Sequence, residues 1–403
     1  MPLALYLLAL AVFAMGTSEF MLAGLVPDIA SDLDVSVGTA GALTSAYAIG
    51  MIVGAPLVAA FARNWPTRTS LLSFILAFAA AHAVGALTPD FPVLFATRVV
   101  AALANAGFLA VTLTTAATLV SPDRKGRALA VLLSGTTTAT VAGVPGGAVF
   151  GTLFGWRATF WTVAALCLPA ALGVLKGISA GLVQEHAADG PASHTELATD
   201  GPALRTELAQ LARPRLILVM LLGALVNAAT FAGFTFLAPV VTDAAGLGEL
   251  WVPVALVLFG VGAFTGVTVA GRLSDRHPGP VIAVAGPLLL IGWPALALLA
   301  AEPVALLTLV FVQGALSFAL GSTLITRVLY EAAGAPTMAG SYATTALNMG
   351  AAVGPLLAAT TLGTAAGTLG PLWSSGLLIA AALLIALPLR TTISTGRGIE
   401  VPR

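Results

Sequence analysis

Apolar runs of about 20 residues, separated by short polar breaks, recur along the whole chain. A run of that length crosses a hydrocarbon core of about 30 Å as an α-helix. Twelve such runs are predicted, at 3–27, 37–62, 70–88, 91–120, 127–153, 157–178, 215–241, 250–271, 279–300, 303–326, 338–363 and 370–389. The runs are too long for barrel strands and lack the two-residue alternation of a barrel wall. The expected fold is therefore an all-α integral membrane protein of twelve transmembrane helices.

The longest polar stretch, residues 179–212, divides the runs six and six, giving an N-terminal bundle (1–178), a linker (179–212) and a C-terminal bundle with a short tail (213–403). Its Gly, Ala, Ser, Thr and Pro content predicts mobility, and its His186 and His194 lack metal-ligand spacing. Shifting the sequence by 212 residues lays Pro27 on Pro239, Gly50 on Gly262, Gly54 on Gly266 and Arg63 on Asp275. Two pseudo-symmetric six-helix bundles are the architecture of secondary transporters, in which the halves rock about a midplane site.

Composition agrees with the pattern. The chain is 58% hydrophobic and only 8% charged, and 17 basic groups cancel 17 acidic ones. Its mean hydropathy is +1.01. Zero net charge leaves no electrostatic case for a nucleic-acid partner; the expected surroundings are lipid. Cys167 is the single cysteine, which excludes an internal disulfide and a cysteine metal cluster. Arg63, Arg68, Arg124, Lys125, Arg127, Arg272, Arg276, Arg327 and the tail residues Arg390, Arg397 and Arg403 fall in even-numbered loops or the tail, against Arg157 alone in the odd-numbered loops. Basic residues stay on the cytoplasmic side, so both termini are expected there, in a bacterial plasma membrane and without a signal peptide.

Two charges interrupt the apolar runs. Glu19 sits about 13 Å below Asp28 along the first helix, and Arg98 about 12 Å below Asp90 along the fourth, so the two share a depth. A charge at that depth is expensive and marks a pathway, a relay or an ion site. Desolvation and a neighbouring guanidinium act on a carboxyl in opposite senses and together can bring its titration near neutral pH; which dominates stays open. The expectation is that Glu19 carries a proton and Arg98 tunes it, with a permanent ion pair that only fixes packing as the alternative. Asp28, Asp32 and Asp34 would form an acidic outer mouth. His82 lies at a similar depth, as a second relay or a packing group.

The remaining polar and aromatic residues near mid-depth are candidate walls of a substrate pocket: Phe20, Met21, Tyr47, Asn105, Asn227, Phe231, Phe234, Gln313, Phe318 and Asn348. With no further buried charge, such a pocket suits a neutral or amphiphilic molecule. The fifth helix carries Gly135, Ala139, Gly143, Gly147, Gly151 and Gly155 at four-residue spacing, and the eighth Gly262, Gly266 and Ala270. Small residues so spaced let helices approach closely. The two stripes are expected to meet between the halves, with Pro145 permitting a bend.

Gly16-Thr17-Ser18-Glu19-Phe20 followed by Gly24-Leu25-Val26-Pro27, Arg98, and Gly143-Val144-Pro145-Gly146-Gly147 resemble the drug/proton antiporters of the major facilitator superfamily over the whole chain. Within them, the run Gly135 to Trp161 is similar to actinomycete chloramphenicol-resistance exporters and their sugar-efflux relatives. The resemblance implies a tuning role for Arg98 and makes the fifth-helix segment the antiporter signature. Gly271-Arg272-Leu273-Ser274-Asp275-Arg276 is similar to the superfamily's cytoplasmic gating motif, and the first-half copy departs from it at Arg63 and Pro66. No Gly-x-x-x-x-Gly-Lys-Ser/Thr run and no hydrolytic grouping is present, so neither ATP hydrolysis nor enzyme activity is expected. The proton gradient is the expected energy source, with no cofactor or metal and a monomer as the working unit. The function implied is proton-coupled efflux of a small hydrophobic drug, with chloramphenicol favoured; a sugar or metabolite exporter, or a passive channel or receptor-like protein, are the alternatives.

Overall fold

The computed structural model describes residues 2–61, 66–120, 125–177, 207, 209–274, 278–335 and 338–386. The first half contains α1 (Leu3–Phe20), a short α2 (Val26–Asp32), α3 (Val37–Phe61), α4 (Thr67–Leu87), α5 (Phe91–Thr118), α6 (Lys125–Thr138), α7 (Val144–Phe154) and α8 (Trp156–Gly177). The second half contains α9 (Pro214–Thr235), α10 (Trp251–Ser274), α11 (Pro278–Leu298), α12 (Pro303–Glu331), α13 (Ala339–Leu362) and α14 (Gly370–Ala386). Among the described residues, eleven segments are long and apolar enough to span a membrane as they stand. The twelfth is the predicted fifth run, which the structure divides into α6, a π-helical turn over Ala139–Gly143 and α7.

Proline explains both the boundaries and that division. Pro92, Pro214 and Pro303 stand in the first turn of α5, α9 and α12, where a missing N–H costs nothing. Pro145 follows the π turn. It has no proton to offer the Val141 carbonyl, and Val144 bonds back to Ala139 instead, widening the turn. Gly155, at φ 82°, occupies the left-handed region that lets α7 turn into α8.

The first predicted run does not continue as one helix to residue 27. Its α-helix stops at Phe20, and a 3₁₀ turn over Met21–Gly24 leads into α2.

Each half has its own apolar core, and a third, small cluster of Ala48, Phe231, Ala351 and Ala352, with Phe20 and Ile52 against it, lies between them. The repeat is visible in the packing. Gly50 lies against the Val99 carbonyl and Gly54 against Leu103; 212 residues on, Gly262 lies against the Phe311 carbonyl and Gly266 against Ala315.

That packing overturns the expected meeting of the two glycine stripes. Gly135 and Gly143 pack on α1, at Ala9 to Phe13 and at Thr17, while Gly262 and Gly266 pack on α12 within their own half. The halves do touch between the fifth run and α10, in part through Gly260, which backs onto Thr140 and Val141 in the π turn. The contact continues along α7, whose Val144 and Ala148 join the apolar core of the second half together with Leu256. Elsewhere α3 meets the second half, with Gly38 against Ala359 and Gly41 against the ring of Phe236.

Of the linker, residues 207 and 209–212 are described, and they are docked rather than free. The Met338 N–H donates to the Glu207 carboxylate (3.0 Å), and the Tyr342 hydroxyl donates to the Glu207 carbonyl (2.8 Å). His186, His194, Arg63, Asp275 and Arg276, and the side chain of Arg272, lie outside the described residues. Arg68 donates to the Leu175 carbonyl (2.8 Å) near the end of α8, a favourable place for a cation.

Candidate functional site

The end of α1 is where charge is handled. A helix that stops leaves its last carbonyls without partners and a negative partial charge at its C-terminus. Arg98, from the middle of α5 and 1% exposed, supplies what is missing. One guanidinium nitrogen donates to the Ser18 carbonyl (2.8 Å) and another to the Ser18 hydroxyl (2.7 Å). The guanidinium also lies over the face of Tyr47 in α3, 4.4 Å from its centroid. Asn105 donates to the Tyr47 hydroxyl (2.9 Å), which in turn donates to the Met15 carbonyl (3.4 Å).

Glu19, the next residue along α1, is half-buried, and Arg98 and Tyr47 are within its electrostatic range. It makes no ion pair with Arg98 and no hydrogen bond among the described residues. A permanent ion pair, the alternative to a proton-carrying role, is therefore absent from this structure: Arg98 is committed to the helix end, and the acid beside it is left unengaged.

His82 belongs to the same cluster. Its Nε2 is 2.7 Å from the Ser18 hydroxyl and its Nδ1 2.8 Å from the Phe78 carbonyl, with the rings of Phe78 and Phe160 alongside. The sequence suggests a role for His82, whereas it places Ser18 in the Gly16 to Phe20 motif without one. A serine inside a helix ordinarily bonds its own preceding turn, as Thr17 does to Phe13 (2.8 Å), so nothing local marks it.

The ten predicted pocket residues are spread over both halves, and two of them, Phe234 and Gln313, line one small cavity with Trp293. Tyr47 and Asn105 are buried in the polar cluster of the first half. Met21 is fully buried where the 3₁₀ turn packs near Gly147. Asn227 donates to the Leu347 carbonyl (2.7 Å), tying α9 to α13, and Asn348 donates back to Thr344 in its own helix (3.0 Å). Each amide nitrogen is thus engaged by a backbone carbonyl.

Four of the ten form a continuous aromatic seam. Phe20 stacks on Phe231 at 5.7 Å between centroids and meets Phe234 edge-on at 6.3 Å. Phe234 continues to Phe259 at 4.6 Å, and Phe259 to Phe318 at 6.2 Å. The seam starts one residue from Glu19 and runs into the second half; Phe259, not predicted, is its middle link. A membrane run contains many aromatics, and only their positions in space separate this one from the rest. Gln313 lies beyond the seam at 0% exposure, and neither end of its amide has a protein partner.

The expected acidic mouth is only partly free. Asp32 is engaged by Arg157 and by the Trp156 indole N–H (3.2 Å), while Arg157 also donates to the Thr88 carbonyl (3.1 Å). That clasp joins α2, α4 and α8. Burial, with the Glu249 carboxylate of the other half behind it, pushes the Asp28 carboxyl above its ordinary range. Among the signature glycines, Gly143, Gly146 and Gly147 line a largely apolar crevice of about 160 Å³ with Phe13, Thr17 and Phe150.

The profile of the Major Facilitator Superfamily matches residues 8–355. Over all 403 residues of both chains, the sequence is 76% identical to a chloramphenicol resistance protein of Streptomyces lividans. It is 31% identical over 349 residues to the inner membrane transport protein YdhP of Escherichia coli K12, covering 86% of this chain and 85% of that one. A peptide transporter solved with alafosfalin superposes with a TM-score of 0.73 at 15% identity, covering 98% of this chain and 95% of that one. The xylose transporter XylE of Escherichia coli, in a partially occluded inward-open form, superposes with a TM-score of 0.66 at 16% identity, covering 96% and 98%. Twelve membrane segments in two repeated bundles, a buried arginine closing a broken first helix and an aromatic seam between the halves are thus the parts of a membrane transporter, not an enzyme, and the chain belongs to the Major Facilitator Superfamily.

Proposed function

We propose that this protein exports chloramphenicol, or a small neutral drug very like it, in exchange for protons. The placement of Glu19 carries the reading. It is the acid next to the carbonyl that Arg98 holds, and it immediately precedes Phe20, which stacks across the halves on Phe231. A carboxyl at that junction can exist charged or neutral, and its charge alters the cost of closing an apolar seam beside it. Full-length relation to the Streptomyces lividans protein supports the drug. The uncharged amide and aromatic character of the second-half residues supports a neutral substrate.

In this reading Glu19 takes a proton from the outer side, near Asp28. The neutral acid lets the aromatic seam close, and drug and proton occupy the site in turn as the halves rock. The protein lies in the bacterial plasma membrane with both termini cytoplasmic, acts as a monomer and draws its energy from the proton gradient, without a nucleotide or metal.

Labelled chloramphenicol uptake by inverted vesicles under an imposed proton gradient tests the proposal. Wild-type protein should accumulate the drug when the gradient is applied. Glu19→Gln should lose gradient-driven accumulation while still exchanging labelled for unlabelled drug. Full gradient-driven accumulation by Glu19→Gln removes the acid from coupling, and no movement of chloramphenicol by wild type removes the drug.

A further inference from the structure

The hydrogen bonds around Ser18 have only one consistent direction. The Phe78 carbonyl can only accept, so His82 Nδ1 carries a proton. In the neutral ring Nε2 then has a lone pair and accepts the Ser18 hydroxyl proton. That turns the hydroxyl oxygen's lone pairs away from His82, where the Arg98 N–H reaches one of them. Guanidinium, hydroxyl, imidazole and carbonyl therefore form a one-way series through three helices, all with buried side chains.

A doubly protonated His82 would reverse the Ser18 bond and set a second cation one hydroxyl away from Arg98. The charged and titratable groups facing this cluster are Glu19 from α1, Tyr47 from α3, Arg98 from α5 and Cys167 from α8. None of them engages His82 directly; among the described residues its only polar contact besides Phe78 is Ser18.

We propose that His82 is a positioning residue for proton coupling: through the Ser18 hydroxyl it holds the Arg98 guanidinium on the end of α1 and off the neighbouring carboxyl of Glu19. This rests on the reading of Glu19 as the coupling acid. With the series intact, Arg98 has two fixed acceptors on Ser18 and an aromatic face beneath it, and Glu19 stays free to gain and lose a proton. Without the imidazole lone pair, the hydroxyl turns to its own helix, Arg98 loses one anchor, and the guanidinium is free to approach Glu19. A closer cation holds the carboxylate form, so export would need a more acidic outer solution to load its proton.

His82→Phe keeps the ring and its packing but cannot accept. It should move the pH midpoint of gradient-driven export toward acid by about 1 unit, the smaller end of what a nearby cation does to a carboxyl. Drug exchange at equal pH, measured well above the midpoint where Glu19 is charged in every variant, should keep its wild-type KM. Ser18→Ala should give the same shift, and the double variant should go no further than either single one. His82→Gln, whose amide oxygen replaces Nε2 as acceptor, should keep the wild-type midpoint. If His82→Phe does not reach the membrane, Ser18→Ala reads the same contact. An unchanged midpoint in Ser18→Ala or His82→Phe, or an equal shift in His82→Gln, overturns the proposal. A wild-type protein indifferent to the gradient would instead overturn the coupling reading beneath it.

Discussion

Where the first half carries Glu19, Tyr47, His82 and Arg98, the second half, 212 residues on, carries Phe231, Phe259, Pro294 and Val310. The backbone around them is used alike: Gly50 meets Val99 as Gly262 meets Phe311. The chemistry has parted. The first half holds a charged cluster wired through Ser18 and Tyr47, and the second presents a line of aromatic rings with an amide behind it. Phe231 stands at the repeat position of Glu19 and stacks on Phe20, the residue beside that acid. A duplicated scaffold therefore needs only one half to carry charge, because the other can sense it through the seam where they touch.

The largest expected effect comes from removing the charge that closes α1. Arg98→Ala leaves the Ser18 carbonyl buried without its donor and opens a cavity, and should cost about 3 kcal/mol or more in detergent unfolding. Val310→Ala, at the matched position, should cost about 1 kcal/mol. Equal losses would break the contrast between a wired half and an apolar one.

A smaller, symmetric effect tests what the halves share. Gly54→Val and Gly266→Val each push a branched side chain into a neighbouring helix backbone, so each should cost about 2 kcal/mol and by similar amounts. If one is tolerated in unfolding and expression assays and the other is not, the repeat is one of fold without equivalent packing.

The smallest is Gln313→Leu. No protein group satisfies either end of that amide, so an apolar side chain of similar size should leave unfolding within about 1 kcal/mol of wild type. A loss as large as that of Arg98→Ala would show that the second half also depends on a held polar group.

Much of the fold is legible in the amino-acid order. Most of the twelve runs end within a few residues of the observed segments, the first and seventh, whose helices stop at Phe20 and Thr235, excepted, because a hydrocarbon layer rewards length and apolarity whatever the neighbours are. The common depth of Glu19 and Arg98 follows from helical rise alone, and the structure brings Arg98 onto Ser18, one residue before that acid. The residues whose partners the sequence misassigns share a cause. The glycine stripes are surfaces of close approach, as their spacing predicts, yet their partners are α1 and α12, because small residues specify that something packs tightly and not what does. Asn227 and Asn348 have the depth and polarity of pocket residues, and the backbone carbonyls their amide nitrogens reach are partners that depth alone does not name. Ser18, met in the sequence only as one member of the Gly16 to Phe20 motif, and Phe259 carry no sign of their roles, because a helical serine and a membrane phenylalanine are ordinary until their neighbours are known.

The amino-acid sequence by itself determined the membrane class, the twelve segments, the repeat and which half carries the buried charges, since transfer into hydrocarbon is settled residue by residue by composition and length. Only the tertiary structure decided that Arg98 closes α1 instead of pairing with Glu19, that Gly260 backs onto the π turn before Pro145, and that Phe20 reaches Phe231. Those contacts depend on atoms meeting within about 3–4 Å in a given direction, and helix rotation, tilt and interruption fix them only when all the segments pack together.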